Sequence, residues 1–367
     1  KLEKQINPVA VTPPTQSQLP TASDPAQAAA NAQPAQVPSQ QPAPTPPPAP
    51  KPKTVAGWLP SWDTDAGLKT LTDFKTVFNE ISPFWYGVDI SGMVTPSPGA
   101  ENGAVINAAR TDGDRLIPTV ANAFDGQKIS EILHDPNRFR WHIALLVDKA
   151  VNNNYDGIDL DYENLKPEDR DLYSQFVFDL AQALHAKGKL LTVTVQPKTQ
   201  EPGEIPSTRA HNYATLGQAA DYIRIMAYDK HYSGGPPGPV APISWVDQVV
   251  AFAVSQIPKE KIILGIPTYG YDWPLTAGGK GKSVVHDQAA AVSFSRGAPV
   301  NWDPSSATPF INYNDGGVNR VIWFENAQSI QAKIDLVKKY DLTGVVFWRL
   351  GREDKSSYLQ LSQKLNP

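Results

Sequence analysis

Asp156-Gly157-Ile158-Asp159-Leu160-Asp161-Tyr162-Glu163 sets the terms on which the whole chain is read. Alternate side chains of an extended strand share a face. Asp159, Asp161 and Glu163 therefore look one way, and Ile158, Leu160 and Tyr162 the other. In a closed barrel the apolar set would meet an outer layer of helices and the three acids would line the interior. Carboxylates held close together out of water cannot all ionise, so at least one must keep its proton to higher pH and the group must titrate as a unit. A carboxyl still protonated near neutral pH is what general-acid cleavage of a glycosidic bond needs. The same three acids could instead hold a hard cation or form a solvated edge.

Working outward, seven more short apolar runs read as strands: Val55–Trp62, Glu80–Val88, Arg115–Ala121, Leu190–Gln196, Tyr222–Tyr228, Lys261–Pro267 and Gly344–Arg349. Helical patterns lie between most of them, at Asp65–Val77, Pro136–Asn152, Pro167–Lys187, Ser244–Val254 and Ala327–Lys339. In Asp171–Ala186 the 3.6-residue period makes Leu172, Phe176, Phe178, Leu180 and Leu184 available to pack inward. Eight strands, each followed by a helical stretch, imply an α/β fold, a parallel (β/α)8 TIM barrel. An open doubly wound sheet fits less well, because no glycine-rich phosphate loop follows the first strand. The connection over 272–325 is too long for a bare loop and holds strand-like pieces, so a small α+β insertion is expected after the seventh strand.

Composition trims the folded part. Residues 1–52 hold fourteen of the 35 prolines and no aromatic residue; Trp58 is the first. Such a stretch cannot bury enough apolar surface to order itself, and is expected to be a disordered Pro/Ala/Gln-rich linker or tether. The catalytic barrel is then 53–367. A net charge of −4 argues against a nucleic-acid partner. Without cysteine there are no disulfides, thiolate metal sites or cysteine nucleophiles. No apolar run is long enough to span a bilayer. The chain opens on Lys1, as it would if a leader or anchor had been removed. Export to the cell envelope or beyond is the expectation, with the proline-rich segment holding the domain off a membrane or wall. His134, His142, His185, His211, His231 and His286 avoid the strands, which disfavours a histidine-rich metal barrel. No metal or other cofactor is expected, and the protein is expected to be a monomer.

The octapeptide resembles the DGxDxDxE signature of glycoside hydrolase family 18, the chitinase family, at every specified position. Met226-Ala227-Tyr228-Asp229 is similar to that family's MxYD motif, and Trp348 closes the last strand as the family's tryptophan does. Ser82-Pro83-Phe84-Trp85-Tyr86, Ile266–Trp273, Val321–Glu325 and Trp348–Asp354 look like the bacterial branch that includes spore-cortex-lytic N-acetylglucosaminidases. Two features depart from the pattern. Ile117-Pro118-Thr119-Val120-Ala121-Asn122 stands where the family has SxGG, and no peptidoglycan-binding repeat is visible.

The resemblance implies a retaining hydrolase that cuts after N-acetylglucosamine in peptidoglycan or chitin-type glycans, with the substrate's own acetamide as nucleophile. Glu163 would be the proton donor and Asp161 the partner of the acetamido N–H. Tyr228 would donate to the acetamido oxygen, and Asp159 would tune Asp161 from deeper in the barrel. Trp348 would lie beneath the sugar. Trp58, Trp62, Trp85, Tyr86, Tyr269 and Trp273 sit at or just past strand ends, where core packing and sugar contact are equally open for each. Gln196, Met226 and Asp229 complete the expected substrate-binding set. A catalytically silent sugar-binding protein on the same barrel is the alternative, disfavoured by the presence of Glu163.

Overall fold

Eight parallel strands close on themselves in the structure, a computed structural model that describes residues 52–361 and 365. They are β1 Thr54–Pro60, β2 Glu80–Val88, β3 in two pieces (Arg115–Leu116 and Thr119–Ala121), β4 Gly157–Asp161, β5 Leu190–Val195, β6 Tyr222–Ile225, β7 Ile262–Pro267 and β8 Gly344–Trp348. Each pairs with the next, and β8 pairs back onto β1, with Thr54 opposite Gly344. This is the (β/α)8 barrel. The tether reading of 1–52 falls, but for Pro52, outside the described residues.

Strand ends depart from expectation in one direction. Five of the expected runs reach one to three residues too far at the carboxyl end, because the residues that follow, among them Trp62, Glu163, Gln196 and Tyr228, leave the ladder to turn into the site. Trp62 leaves β1 altogether for a short 3-10 turn, Ser61–Asp63. The third strand breaks at Ile117-Pro118, since proline has no N–H to give a ladder; its carbonyl still accepts from the Asp159 amide at 3.0 Å.

Helices cover the outer face. Pro136–Asn152 starts where Asp135 accepts from the amides of Asn137 and Arg138 and Pro136 takes the first turn. Ala327–Lys339 starts on a reciprocal cap between Asn326 and Ser329. In Arg170–His185, Phe176, Leu180 and Leu184 pack inward, but Phe178 is exposed. It lies two residues from Phe176, which a helix places on nearly the opposite side. Gly103–Asp112, Gly126–His134 and Tyr213–Ala219 are helices with weaker or shorter apolar periods than the sequence reading required.

The insertion begins earlier than 272. Tyr269–Pro274 is already the second strand of a five-stranded antiparallel sheet, ordered Lys282–Val285, Tyr269–Pro274, Val318–Trp323, Thr308–Asp315, Asn301–Asp303. One helix, His286–Arg296, covers it. Its core (Val284, Ala289, Ala298, Ile311, Ile322, Phe324) is separate from the barrel's.

Candidate active site

The alternation of β4 survives folding. Ile158, Leu160 and Tyr162 are fully buried beneath the helices, and the Tyr162 hydroxyl lies 2.5 Å from His142 Nε2. The three acids face the other way and meet three different surroundings.

Asp159 is sealed in the barrel interior. Its Oδ2 accepts from Trp58 Nε1 at 2.9 Å and Thr119 Oγ1 at 2.7 Å, and its Oδ1 from Thr192 and Thr194, each at 2.9 Å. Arg224 Nη1 lies 2.9 Å from Oδ2. With its oxygens so occupied, Asp159 has little to offer a hard cation. Asp161 is 5 % exposed and its Oδ1 has no hydrogen-bond partner among the described residues. Burial, with the charges of Glu163 and Asp159, pushes its carboxyl well above the usual range, opposed by Arg224. Glu163 lies just past β4 at the mouth. Burial raises it to about 7 against a 3.4 Å hydrogen bond from Gln196 Nε2, and the charge of Asp229 adds to the rise.

The backbone of Glu163 is clamped. Asn122, 1 % exposed, accepts from the Glu163 amide at 2.9 Å and donates to its carbonyl at 2.8 Å. The adjoining residues Ala123, Phe124 and Asn164 are left-handed, with φ of 53°, 61° and 52°. Such backbone strain in non-glycine residues gathers at functional sites. Asn164 Nδ2 holds the Phe124 carbonyl at 3.2 Å. Gly126 makes the contact possible, since a Cβ there would fall 1.9 Å from the Asn164 oxygen.

Two chambers meet at Glu163. One, about 190 Å³, has Trp58, Trp62, Phe84, Trp348 and Asp161 in its walls. The other, about 590 Å³, runs over the segments after β5 and β6, past Gln196, Lys198, Ile205, Lys230, Tyr232 and Trp245. Glu163, Phe124, Met226, Tyr228 and Asp229 line both. Trp348 is braced edge-on by Phe84 at 5.1 Å, Trp58 at 6.0 Å and Trp62 at 6.4 Å between ring centres. Tyr228 is 8 % exposed, and burial raises its phenol well above the usual value. Asp229 accepts at one oxygen from Tyr269 at 2.5 Å and Tyr271 at 3.2 Å. Burial raises its carboxyl in spite of them.

Of the residues expected at the site, the structure brings Glu163, Asp161, Tyr228, Trp348, Trp58, Trp62, Gln196, Met226 and Asp229 to these walls, with Asp159 directly beneath. Four others lie elsewhere. Trp85 is fully buried and Tyr86 nearly so, both against Tyr155; the Tyr86 hydroxyl is 2.7 Å from that of Tyr155. Trp85 points outward by alternation, and a bulge at that point turns Tyr86 out as well. Trp273 is buried in the insertion, against Tyr271 and the backbone of Gly281. Tyr269 acts behind the wall, through Asp229. Phe84, Asn122 and Phe124 were missed. Applying to β2 the alternation used on β4 selects Phe84, since Glu80, Ser82 and Phe84 share the inner face.

A parallel barrel with a carboxyl held near neutrality over an aromatic-lined cleft defines a glycoside hydrolase. The comparisons agree. The chain belongs to the glycosyl hydrolases family 18, whose family model matches residues 108–353. It is 31% identical over 291 residues to a "Cortical fragment-lytic enzyme" of Bacillus subtilis, covering 78% of this chain and 68% of that one. Among solved structures it is similar to the spore cortex-lytic enzyme SleL of Bacillus cereus (27% identity, TM-score 0.79, covering 86% and 74% of the two chains). It is equally similar to a chitinase from Chromobacterium violaceum (28% identity, TM-score 0.80, 86% and 99%). Among the described residues no helix is long and apolar enough to cross a membrane.

Proposed function

We propose that this glycoside hydrolase cleaves β-1,4 bonds after N-acetylglucosamine in peptidoglycan or chitin-type glycans at the cell envelope, with retention of configuration and with help from the substrate's acetamide. The observation that carries the reading is the pairing of Glu163, held near neutrality, with Asp161 and Tyr228 around a chamber floored by Trp348. Glu163 gives its proton to the glycosidic oxygen, and the acetamido carbonyl oxygen bonds to the anomeric carbon as the leaving group departs. Asp161 accepts the acetamido N–H and offsets the positive charge of the oxazolinium ring; Tyr228 donates its phenol hydrogen to the acetamido oxygen. Glu163, now a base, takes a proton from the water that opens the ring. A chamber of about 190 Å³ suits one such sugar, and the larger one the leaving chain.

The test runs N-acetylglucosamine oligomers, peptidoglycan glycan strands and cellotetraose side by side, with products read by mass spectrometry. Turnover of the acetamido glycans and inhibition by a thiazoline mimic of the intermediate are expected. Efficient cleavage of cellotetraose, which has no acetamide, refutes substrate assistance.

A further inference from the structure

Beneath the acid row lies an ion network that the reaction above does not use. Glu80 opens β2 and Arg224 sits in β6, 144 residues away in sequence, and both side chains are fully buried inside the barrel. Arg224 Nη2 donates to Glu80 Oε1 at 2.5 Å, while Nη1 lies 2.9 Å from Asp159 Oδ2. Arg115 Nη2, from β3, lies 2.9 Å from the second Glu80 oxygen, an ion pair without hydrogen-bond alignment. The guanidinium also stands 5.5 Å from the Trp58 ring centre, over the indole that donates to Asp159.

A buried ion pair costs several kcal/mol of desolvation per charge and is weak evidence for stability. An apolar pair at positions 80 and 224 would fill a barrel core as well. The geometry points instead to a task for the charge. We propose that Arg224 is a positioning residue: anchored by Glu80, its guanidinium sets a fixed positive charge against Asp159 beneath the row and so steers the exchangeable proton of Asp161 and Glu163, the two carboxyls that reach the cleft.

The inference rests on the proposed reaction, which needs a proton at Glu163 and a carboxylate at Asp161. The charged groups that act on Asp159 and Asp161 are Glu163, two residues past Asp161, and Arg224 from β6, which is tied through Glu80 of β2 to Arg115 of β3. Tyr228 faces Asp161 past the end of β6 and Asp229 acts on Glu163, while Tyr173, from the helix Arg170–His185, packs outside the barrel against Tyr162 and His211. Arg224 opposes the rise at Asp161. Whichever carboxyl holds the proton, deleting a nearby cation raises the apparent pKa values of a coupled group, and deleting a nearby anion lowers them.

Two variants therefore move the reaction's pH dependence in opposite directions. R224M is expected to shift the acidic limb of kcat/KM up by about one pH unit, and E80Q down by about half a unit. R224K, which keeps the cation, restores most of the wild-type profile. A 13C titration of the aspartate carboxyls, done without substrate, reads the same shifts in the resting protein. If R224M does not fold, E80Q alone decides. Shifts of the same sign in both variants, or none in a folded E80Q, overturn the inference and leave Arg224 a structural residue. A wild-type protein that hydrolyses no acetamido glycan would sink the proposed function, while the carboxyl titration would still test Arg224.

Discussion

Asp159, within β4, and Glu163, two residues past its end, stand four residues apart on one face, yet the protein treats them oppositely. Asp159 receives four hydrogen bonds and a guanidinium. Glu163 receives one long hydrogen bond, from Gln196 at 3.4 Å, and faces a second carboxylate in Asp229. Placing similar carboxyls in a saturated pocket and in a starved one gives them different surroundings: every oxygen of the first is partnered, and burial raises the second to about 7. The difference is made by neighbours on β1, β3, β5 and β6, not by the octapeptide itself.

Removing the proton at the starved end should have the largest effect. Glu163→Gln keeps the shape and loses the donor, so kcat should fall by about 10³-fold or more, with KM for an acetamido glycan little changed. The wild-type rate should decline as pH rises through about 7, where Glu163 loses its proton. Near-normal turnover in the variant breaks the comparison at its source.

Neutralising each end should change stability in opposite senses. Asp159→Asn leaves the buried Arg224 facing an uncharged amide and is expected to destabilise by about 3–5 kcal/mol. Glu163 has the reverse sign. Burial raises its folded-state value from 4.5 to about 7, so its contribution is fullest below the unfolded value and is lost as pH rises through the folded one. Glu163→Gln cannot ionise, and should be more stable than wild type above pH 7 by on the order of 2 kcal/mol. The gap should close toward pH 4.5. Urea unfolding of both variants at the two pH values measures this; a loss of stability for Glu163→Gln at high pH would show the site is not starved.

The barrel was legible because β4 writes its two faces in alternating letters, and because the helices Pro136–Asn152 and Ala327–Lys339 have the ends their caps dictate. What escaped was long-range. Glu80 and Arg224 look like isolated charges in apolar strands until closure brings β2, β4 and β6 around one interior. Trp85 and Tyr86 carry the residue type expected of a sugar platform, but a bulge sets their direction and composition does not report it. Tyr269–Trp273 reads as rim because it follows β7 directly; it is a strand of another sheet, and only its hydroxyls on Asp229 reach the site. The helix His286–Arg296 escaped because it buries little beyond Ala289.

The smallest effect tests whether the starved end needs its clamp. Among the described residues, the hydrogen bonds of the Asn122 side chain go to the backbone of Glu163, matching its amide and carbonyl as a neighbouring strand would. It falls in the segment that replaces the family's SxGG, so a departure in sequence is occupied by a side chain with a definite job. Asn122→Ala leaves that amide and carbonyl without this partner and frees the start of the loop carrying Phe124. The carboxyl would then sample positions away from the glycosidic oxygen, and misplacement by a fraction of an ångström is enough to slow proton transfer. A fall in kcat of about 10-fold with KM unchanged is expected, alongside a stability loss of about 1–2 kcal/mol. If KM rose instead and kcat held, Asn122 would be contributing to sugar binding rather than to the aim of Glu163.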